Sequence, residues 1–298
     1  MNILIRRGVP LYIIELLLFW FLNQLFYVRW QGRLSDSFNP KCGLRQGSVL
    51  SPILFNVYID ELSQSLNNAS PGCYIGNEFL NHVCYADDLV IFSPSLKGLN
   101  SLLKVCDEFG KNFDVIFNCL KSKCIVFRKH GELFHDKIYL SNNEIEIVES
   151  IQYLGVTLHY NMSDNDEICN QYRKLCSRVN VLGRKFNKCS FEVKNELFRV
   201  FCTNIYGINL WCNFSKKVLN KFRVCYNNGF RIMHGLARYC SASGMFVNAG
   251  VLSFGEMVRH GQWSFVRSVI SSENRLIQAA NTIQHSLLWL KYRKDLFC

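Results

Sequence analysis

The chain has 298 residues, which on the usual ~150 residues per domain predicts two domains. Apolar residues make up 49% and charged residues 19%, so the chain can bury a core and wholesale disorder is excluded. The formal net charge is +11, Pro is scarce at 5, and no Pro-rich or Gly/Ser-rich tract marks a long linker.

That charge is uneven. Residues 1–150 carry 14 Lys and Arg against 15 Asp and Glu; residues 151–298 carry 20 against 8. The segment Arg173 to Arg238 alone holds 14 basic and 2 acidic residues. Tyr172, Phe186, Phe198, Phe201, Tyr206, Trp211, Phe222, Tyr226 and Phe230 are interleaved with them. Basic residues with interleaved aromatics predict a nucleic-acid partner. The competing reading is a solvated helix face that happens to be basic.

The 14 cysteines contain no CxxC pair, which excludes zinc ribbons, zinc knuckles and a thioredoxin-like dithiol motif. They read as free buried thiols of a reducing, intracellular compartment, nucleus or cytoplasm. The 7 histidines form no His-x-x-His or His-Cys cluster. No apolar core leads to a small-residue cleavage site, so no signal peptide is expected.

In chain order, Pro10 to Val28 is predicted as a helix. Its stretch Val9 to Leu22 is nearly all apolar but contains Glu15. It is too short to span a bilayer, so it reads as a buried helix that something covers. Lys41 to Ser51 is a Gly-containing loop. Ser51-Pro52 predicts a helix start, Ser as N-cap and Pro first, with the helix running to about Leu66. Pro71-Gly72 marks a turn. Phe79 to Tyr85 and Leu89 to Phe92 read as two strands, with Ala86-Asp87-Asp88 at the tip of the hairpin. Ser95 to Lys111 reads as a helix, with Leu96, Leu99, Leu103, Cys106 and Phe109 near helical spacing. Short strands follow around Val115–Asn118, Cys124–Arg128, Glu144–Val148 and Ile151–Val156. Beyond Asp164 the pattern is helical, and a boundary is expected near 160. The stretch from about 240, including Trp263 and Trp289, gives helices without a role.

Two local features carry chemistry. Asp87-Asp88 at a hairpin tip would bring two carboxylates together, and close unpaired carboxylates host a divalent cation. The plain alternative is an Asp-Asp turn facing water. In Gly43-Leu44-Arg45-Gln46-Gly47-Ser48, two glycines bracket an Arg-Gln pair before a helix. Arg45 can pair with phosphate and Gln46 can hydrogen-bond a base or sugar. The plain alternative is a turn and cap.

Taken in order, Gly43-x-Arg45-Gln46-Gly47-Ser48-x-Leu50-Ser51-Pro52-x-Leu54-Phe55-Asn56-x-Tyr58, Tyr85-Ala86-Asp87-Asp88 and Tyr153-Leu154-Gly155-Val156 resemble a reverse transcriptase. The chain is most similar to LINE-type, non-LTR retrotransposon enzymes, with palm motifs B, C and E in that order. Asn118-x-x-Lys121-Ser122-Lys123 resembles motif D, and Arg6-Arg7-Gly8-Val9-Pro10 resembles the start of the palm helix after motif A. The resemblance covers about 6–156. Group II intron maturases and telomerases are related readings; a non-catalytic nucleic-acid-binding remnant of a retroelement is another.

The resemblance implies an α+β fold, a partial right-hand palm with an antiparallel sheet and helices on one face over 1–160. A helical, basic, thumb-like region follows over 161–298. The implied reaction is RNA-templated DNA synthesis from a primer 3′-hydroxyl with dNTPs and two Mg²⁺ ions. Asp87 would ligate metal, with Asp88 its acidic neighbour. Tyr85 and Ala86 would lie beneath the primer end. Arg45, Gln46 and Gly47 would line template and nucleotide, and Lys121 would assist the leaving pyrophosphate. Tyr153, Leu154 and Gly155 would form the primer grip. Arg173, Lys174, Arg178, Arg184 and Lys185 would hold the phosphates of an RNA–DNA duplex, binding that weakens with salt. The motif A Asp is expected before Arg6, yet no Asp precedes Asp36. The chain is therefore expected to be truncated, lacking fingers and motif A. Alone it would hold Mg²⁺ poorly and be inactive, with the missing part of the same polyprotein as a partner. An uncovered palm edge and the apolar helix predict poor solubility or association with another chain.

Overall fold

The computed structural model describes residues 2–40, 43–128 and 136–282. Cys42, Cys298 and Trp289 lie outside the described residues. The chain divides into two compact units. One comprises 1–73 and 79–116, the other 74–78 and 117–298. Segment 117–159 thus packs in the same unit as the later helices, so the structural division falls near 116 rather than near 160.

In the first unit, α1 (Asn2–Arg6) and α2 (Leu11–Leu22) precede a small hairpin, β1 (Arg29–Trp30) with β2 (Arg33–Leu34). The expected helix to Val28 ends six residues early. Asn23 turns its side-chain amide onto the Phe19 carbonyl at 2.7 Å, and Phe26 bridges Phe38. Nor is α2 a buried helix: only Ile14 and Leu17 are buried, while Leu11, Tyr12, Leu16, Phe19 and Leu22 are each at least 62% exposed. Its sequence is apolar on every side, so one neighbouring face cannot cover it. Among the described residues no helix is long and apolar enough to cross a membrane.

Helix α3 (Ser51–Asn67) begins where expected, but Leu50 is the N-cap and Ser51 lies inside the first turn. Leu50 already has helical φ and ψ, so the Ser51 hydroxyl points back and donates to the Arg45 carbonyl at 2.7 Å. Arg7 pairs with Asp60 and Arg6 with Glu61, tying α1 to α3. After Pro71-Gly72 come β3 (Cys73–Ile75), β4 (Glu78–Leu80), β5 (His82–Tyr85) and β6 (Asp88–Ile91). A side chain on Gly72 would strike the Phe79 ring at 2.4 Å, so only glycine fits there. Helix α4 (Leu96–Phe113) is capped by Ser95, whose hydroxyl accepts from the Gly98 amide. It buries Leu102, Leu103, Cys106 and Phe109, in the same unit as Leu62 and Leu66 of α3. Tyr58 packs edge-on against Phe109 and Phe113 and donates its hydroxyl to the Phe113 carbonyl. Asp114 then takes a left-handed conformation (φ 53°) and turns the chain. Residues Val115–Asn118 are irregular rather than a strand; the left-handed cap and the 95% exposed Ile116 leave nothing for them to pair with as a ladder.

In the second unit, β7 (Lys123–Cys124) pairs parallel with β9 (Asn143–Ile147), which pairs antiparallel with β8 (Ile138–Leu140). The expected strand to Arg128 is only two residues long. The expected strand Ile151–Val156 is interrupted: β10 (Ser150–Tyr153) and β11 (Val156–His159) form a hairpin around Leu154-Gly155. The fold is α+β as expected. Among the described residues its strands form separate sheets of two or three rather than one continuous sheet, and none exceeds five residues.

Among the described residues six α-helices follow: α5 (Asn165–Lys185), α6 (Phe191–Cys202), α7 (Lys216–His234), α8 (Ala242–Ala249), α9 (Phe254–Ile270) and α10 (Arg275–Thr282). Serine hydroxyls cap α6 to α9 (Ser190, Ser215, Ser241 and Ser253), and Ser253 with Glu256 closes a reciprocal capping box. Glycines in left-handed conformation end α7 (Gly235) and α8 (Gly250). Phe198, Trp211, Phe222, Tyr226 and Phe230 lie in the core of this bundle, each at most 1% exposed. The aromatics that looked interleaved with a nucleic-acid face are thus mostly core. Of the nine, only Phe201 and Tyr206 are exposed.

Candidate functional site

Two hairpins, the loop before α3, the turn at Lys121 and one helix face carry the predicted residues. In the β5–β6 hairpin His82 pairs with Ile91, Val83 with Val90, Cys84 with Leu89 and Tyr85 with Asp88. Its turn is therefore Ala86-Asp87, two residues rather than three. Asp87 sits at the apex and Asp88 opens β6, so the two carboxylates leave from different backbone settings. Ala86 holds φ at 52°, a left-handed conformation that costs a non-glycine residue roughly 1–2 kcal/mol. Tyr85, Ala86, Asp87 and Asp88 are all exposed.

The base of this hairpin is fixed by a buried polar network. Asn81 is 1% exposed. Its amide nitrogen donates to the Leu66 carbonyl at 2.5 Å and to the Pro71 carbonyl at 3.3 Å. Its amide oxygen lies 2.7 Å from Nδ1 of His82, and Nε2 of His82 lies 2.7 Å from the Ser63 hydroxyl. An amide oxygen only accepts, so Nδ1 carries the proton and Nε2 accepts from Ser63. Burial holds the His82 imidazole below its ordinary pKa, which keeps this neutral tautomer. The network binds the hairpin to the C-terminal half of α3, whose N-terminal end carries the Arg45–Ser48 loop. There Gly47 adopts φ 80° with open space around its Cα, and Arg45, Gln46 and Gly47 are exposed.

Lys121 belongs to the second unit. It lies exposed in a turn that Asn118 closes, its amide donating to the Asn118 side-chain oxygen at 3.1 Å. The β10–β11 hairpin is in the same unit. Tyr153 pairs with Val156, and both turn residues have positive φ, Leu154 at 46° and Gly155 at 80°. That is the φ pattern of a type I′ turn, which Leu adopts only under strain. The restraint comes from afar: the Tyr206 hydroxyl donates to the Leu154 carbonyl at 2.8 Å, and the Tyr206 ring lies over Gly155. Glu167, 1% exposed, accepts from the Thr157 amide at 2.8 Å and from the Gln171 side chain at 2.7 Å. Asn170 donates to the Thr157 hydroxyl at 3.0 Å. The hairpin is thus fastened to α5 and to the segment after α6. Sequence reading placed Tyr206 among the nucleic-acid-facing aromatics and missed Glu167 and Asn170, because nothing local links the three to 154–157.

On α5, Arg173, Lys174, Arg184 and Lys185 are exposed. Eleven residues is close to three helical turns, so the two basic pairs share a face roughly 16 Å apart. Arg184 and Lys185 also occupy the last turn, where they complement the helix dipole. Arg178 differs: its guanidinium donates to the Phe201 and Asn204 carbonyls at the end of α6. Arg199 and Arg231 are likewise spent on carbonyls, of Ala249, Gly250 and Cys240. Lys216, Lys217, Lys221 and Arg223 add an exposed basic row on α7.

Among the described residues no three His, Cys, Asp or Glu side chains gather as a metal site. Asp87 and Asp88 alone do not make the donor set of a two-metal centre, which needs carboxylates bridging both ions.

Comparison with known proteins identifies the family. The family model described as reverse transcriptase (RNA-dependent DNA polymerase) matches residues 4–158, a span that includes the turns of both hairpins. That family generally uses divalent metal ions and acts on a nucleic-acid template and primer. The RNA-directed DNA polymerase from mobile element jockey of Drosophila melanogaster is 22% identical over 272 residues, 87% of this chain and 29% of the relative. Its Drosophila funebris counterpart is 23% identical over 86% of this chain and 30% of the relative. The Pol polyprotein from type-2 retrotransposable element R2DM of Drosophila melanogaster is 32% identical over 135 residues, 42% of this chain and 12% of the relative. The chain spans less than a third of the length of each of these curated relatives. With that family model matching more than half of the chain and these retroelement polymerases as its relatives, the chain belongs to the reverse transcriptase family, as a domain of the LINE-type, non-LTR kind.

Proposed function

We propose that this chain serves RNA-templated DNA synthesis in retrotransposition as the part that holds primer, template and two of the metal-binding carboxylates. The observation that carries the reading is Asp87 at the apex of a two-residue turn, beside strained Ala86, on a hairpin anchored by buried Asn81 and His82. Strain held by a rigid support is characteristic of working sites. In this reading Asp87 ligates Mg²⁺ and Asp88 supports it, with Tyr85 and Ala86 beneath the primer end. Arg45, Gln46 and Gly47 face template and dNTP, and Lys121 the pyrophosphate. Tyr153, Leu154 and Gly155 hold the primer 3′ end. The functional boundary falls near 160, where Arg173, Lys174, Arg184 and Lys185 of the thumb-like helices meet the duplex phosphates. Arg178 contributes through α6 as well as by its charge.

Asp87 and Asp88 alone do not complete a two-metal centre, so the chain on its own is expected not to extend a primer. The test is primer extension on a poly-rA template with Mg²⁺ and dNTPs, wild type beside Asp87→Ala, with duplex binding measured across a salt series. No extension by either, with salt-sensitive binding by both, is the expected result. Extension by wild type that Asp87→Ala abolishes would overturn the inactivity and keep the site. Absence of duplex binding would remove the nucleic-acid reading.

A further inference from the structure

Cys176 on α5 and Cys225 on α7 sit with their sulfurs 3.1 Å apart, about 1 Å longer than a disulfide bond. Forty-nine residues separate them in sequence, and both are half-buried, so small oxidants can reach them. Tyr172 precedes Cys176 by one turn of α5, and the Lys221 ammonium lies 4.9 Å from the centre of the Tyr172 ring. Cys106 and Cys202, in contrast, are fully buried.

We propose that Cys176 and Cys225 are a modification site that forms a reversible disulfide when the protein meets a peroxide, stapling α5 to α7. The Cys176 sulfur attacks a peroxide oxygen as the thiolate. The O–O bond breaks, and the departing hydroxide leaves as water with the proton the thiol had released, giving a sulfenic acid on Cys176. The Cys225 sulfur then attacks that sulfur; the S–O bond breaks and the hydroxide leaves as water with the Cys225 proton. Two thiols are oxidised and one peroxide is reduced to two waters. The two sulfurs face each other, so whichever of them is oxidised first, the product is the same disulfide. The two helices joined carry the exposed basic rows Arg173, Lys174, Arg184 and Lys185, and Lys216, Lys217, Lys221 and Arg223. The cross-link therefore fixes the spacing of those rows. The inference stands whether or not the chain is a polymerase.

The test is graded hydrogen peroxide on the whole chain, alkylation of remaining thiols, and mass mapping of cross-linked peptides. The first cross-link is expected to join Cys176 to Cys225, to reverse with dithiothreitol, and to vanish in Cys176→Ser and in Cys225→Ser. The oxidised protein is expected to melt roughly 5–10 °C higher. A different pair forming first, or no cross-link at all, overturns the proposal. Should a serine variant fail to fold by circular dichroism, phenylarsine oxide on the wild type decides. Joint protection of Cys176 and Cys225 from alkylation supports the dithiol site, and separate labelling of the two overturns it.

Discussion

Helices α2 and α7 are both rich in large apolar residues, yet they use them in opposite ways. In α7, Phe222, Tyr226 and Phe230 recur every fourth residue and vanish into a core with Phe198, Phe246 and Phe254, while Lys216, Lys217, Lys221 and Arg223 stay in water. In α2, Glu15 is the single charge, and Leu11, Tyr12, Leu16, Phe19 and Leu22 remain exposed around two buried residues. A helix with one apolar stripe needs one neighbour; a helix apolar all round needs several. The helical unit has thus found its surroundings within its own residues. The α2 region has not, and its exposed apolar side chains form a patch that water tolerates poorly.

That contrast can be broken most severely from the helical side. Phe222→Ala removes a ring wholly inside the aromatic core and is expected to cost about 3–5 kcal/mol in urea unfolding. A cost below about 1 kcal/mol would mean that the core is looser than its burial indicates. Glu167→Ala comes next. It strips the Thr157 amide and the Gln171 side chain of their acceptor, with an expected loss of about 1–3 kcal/mol in the same assay. On the first unit, Ala86→Gly relieves the left-handed strain and is expected to raise stability by up to about 1 kcal/mol, less the entropy glycine adds to the unfolded chain. The mildest is Leu16→Lys with Phe19→Lys. Stability should move by less than about 0.5 kcal/mol, while sedimentation shows less self-association. Unchanged association would show that α2 is not what makes the protein adhere.

The same contrast explains what could be read in the sequence. The α4 helix was legible because its cap Ser95 and its stripe Leu103, Cys106 and Phe109 lie within eighteen residues of one another. The β5–β6 hairpin was legible for the same reason, although the turn is one residue shorter than Ala86-Asp87-Asp88. Ser51 misled, because a serine before a proline suits an N-cap and only the loop geometry shows Leu50 in that place. The aromatics of 172–230 misled more. Their spacing says that they line one face, and spacing alone cannot say whether that face meets nucleic acid or Phe246 and Phe254. Arg178, Arg199 and Arg231 count as charge in the sequence, yet each serves a distant carbonyl.

The Leu154 turn has a kinetic consequence. A two-residue hairpin forms locally within microseconds, but its left-handed leucine is held by a tyrosine 52 residues away. Closing so long a loop comes late on a folding route, and interactions that form late govern how fast the native state is lost rather than how fast it is reached. Stopped-flow measurements on Tyr206→Phe are therefore expected to show faster unfolding at an unchanged refolding rate. Tyr206 sets the lifetime of the turn, not the search that finds it.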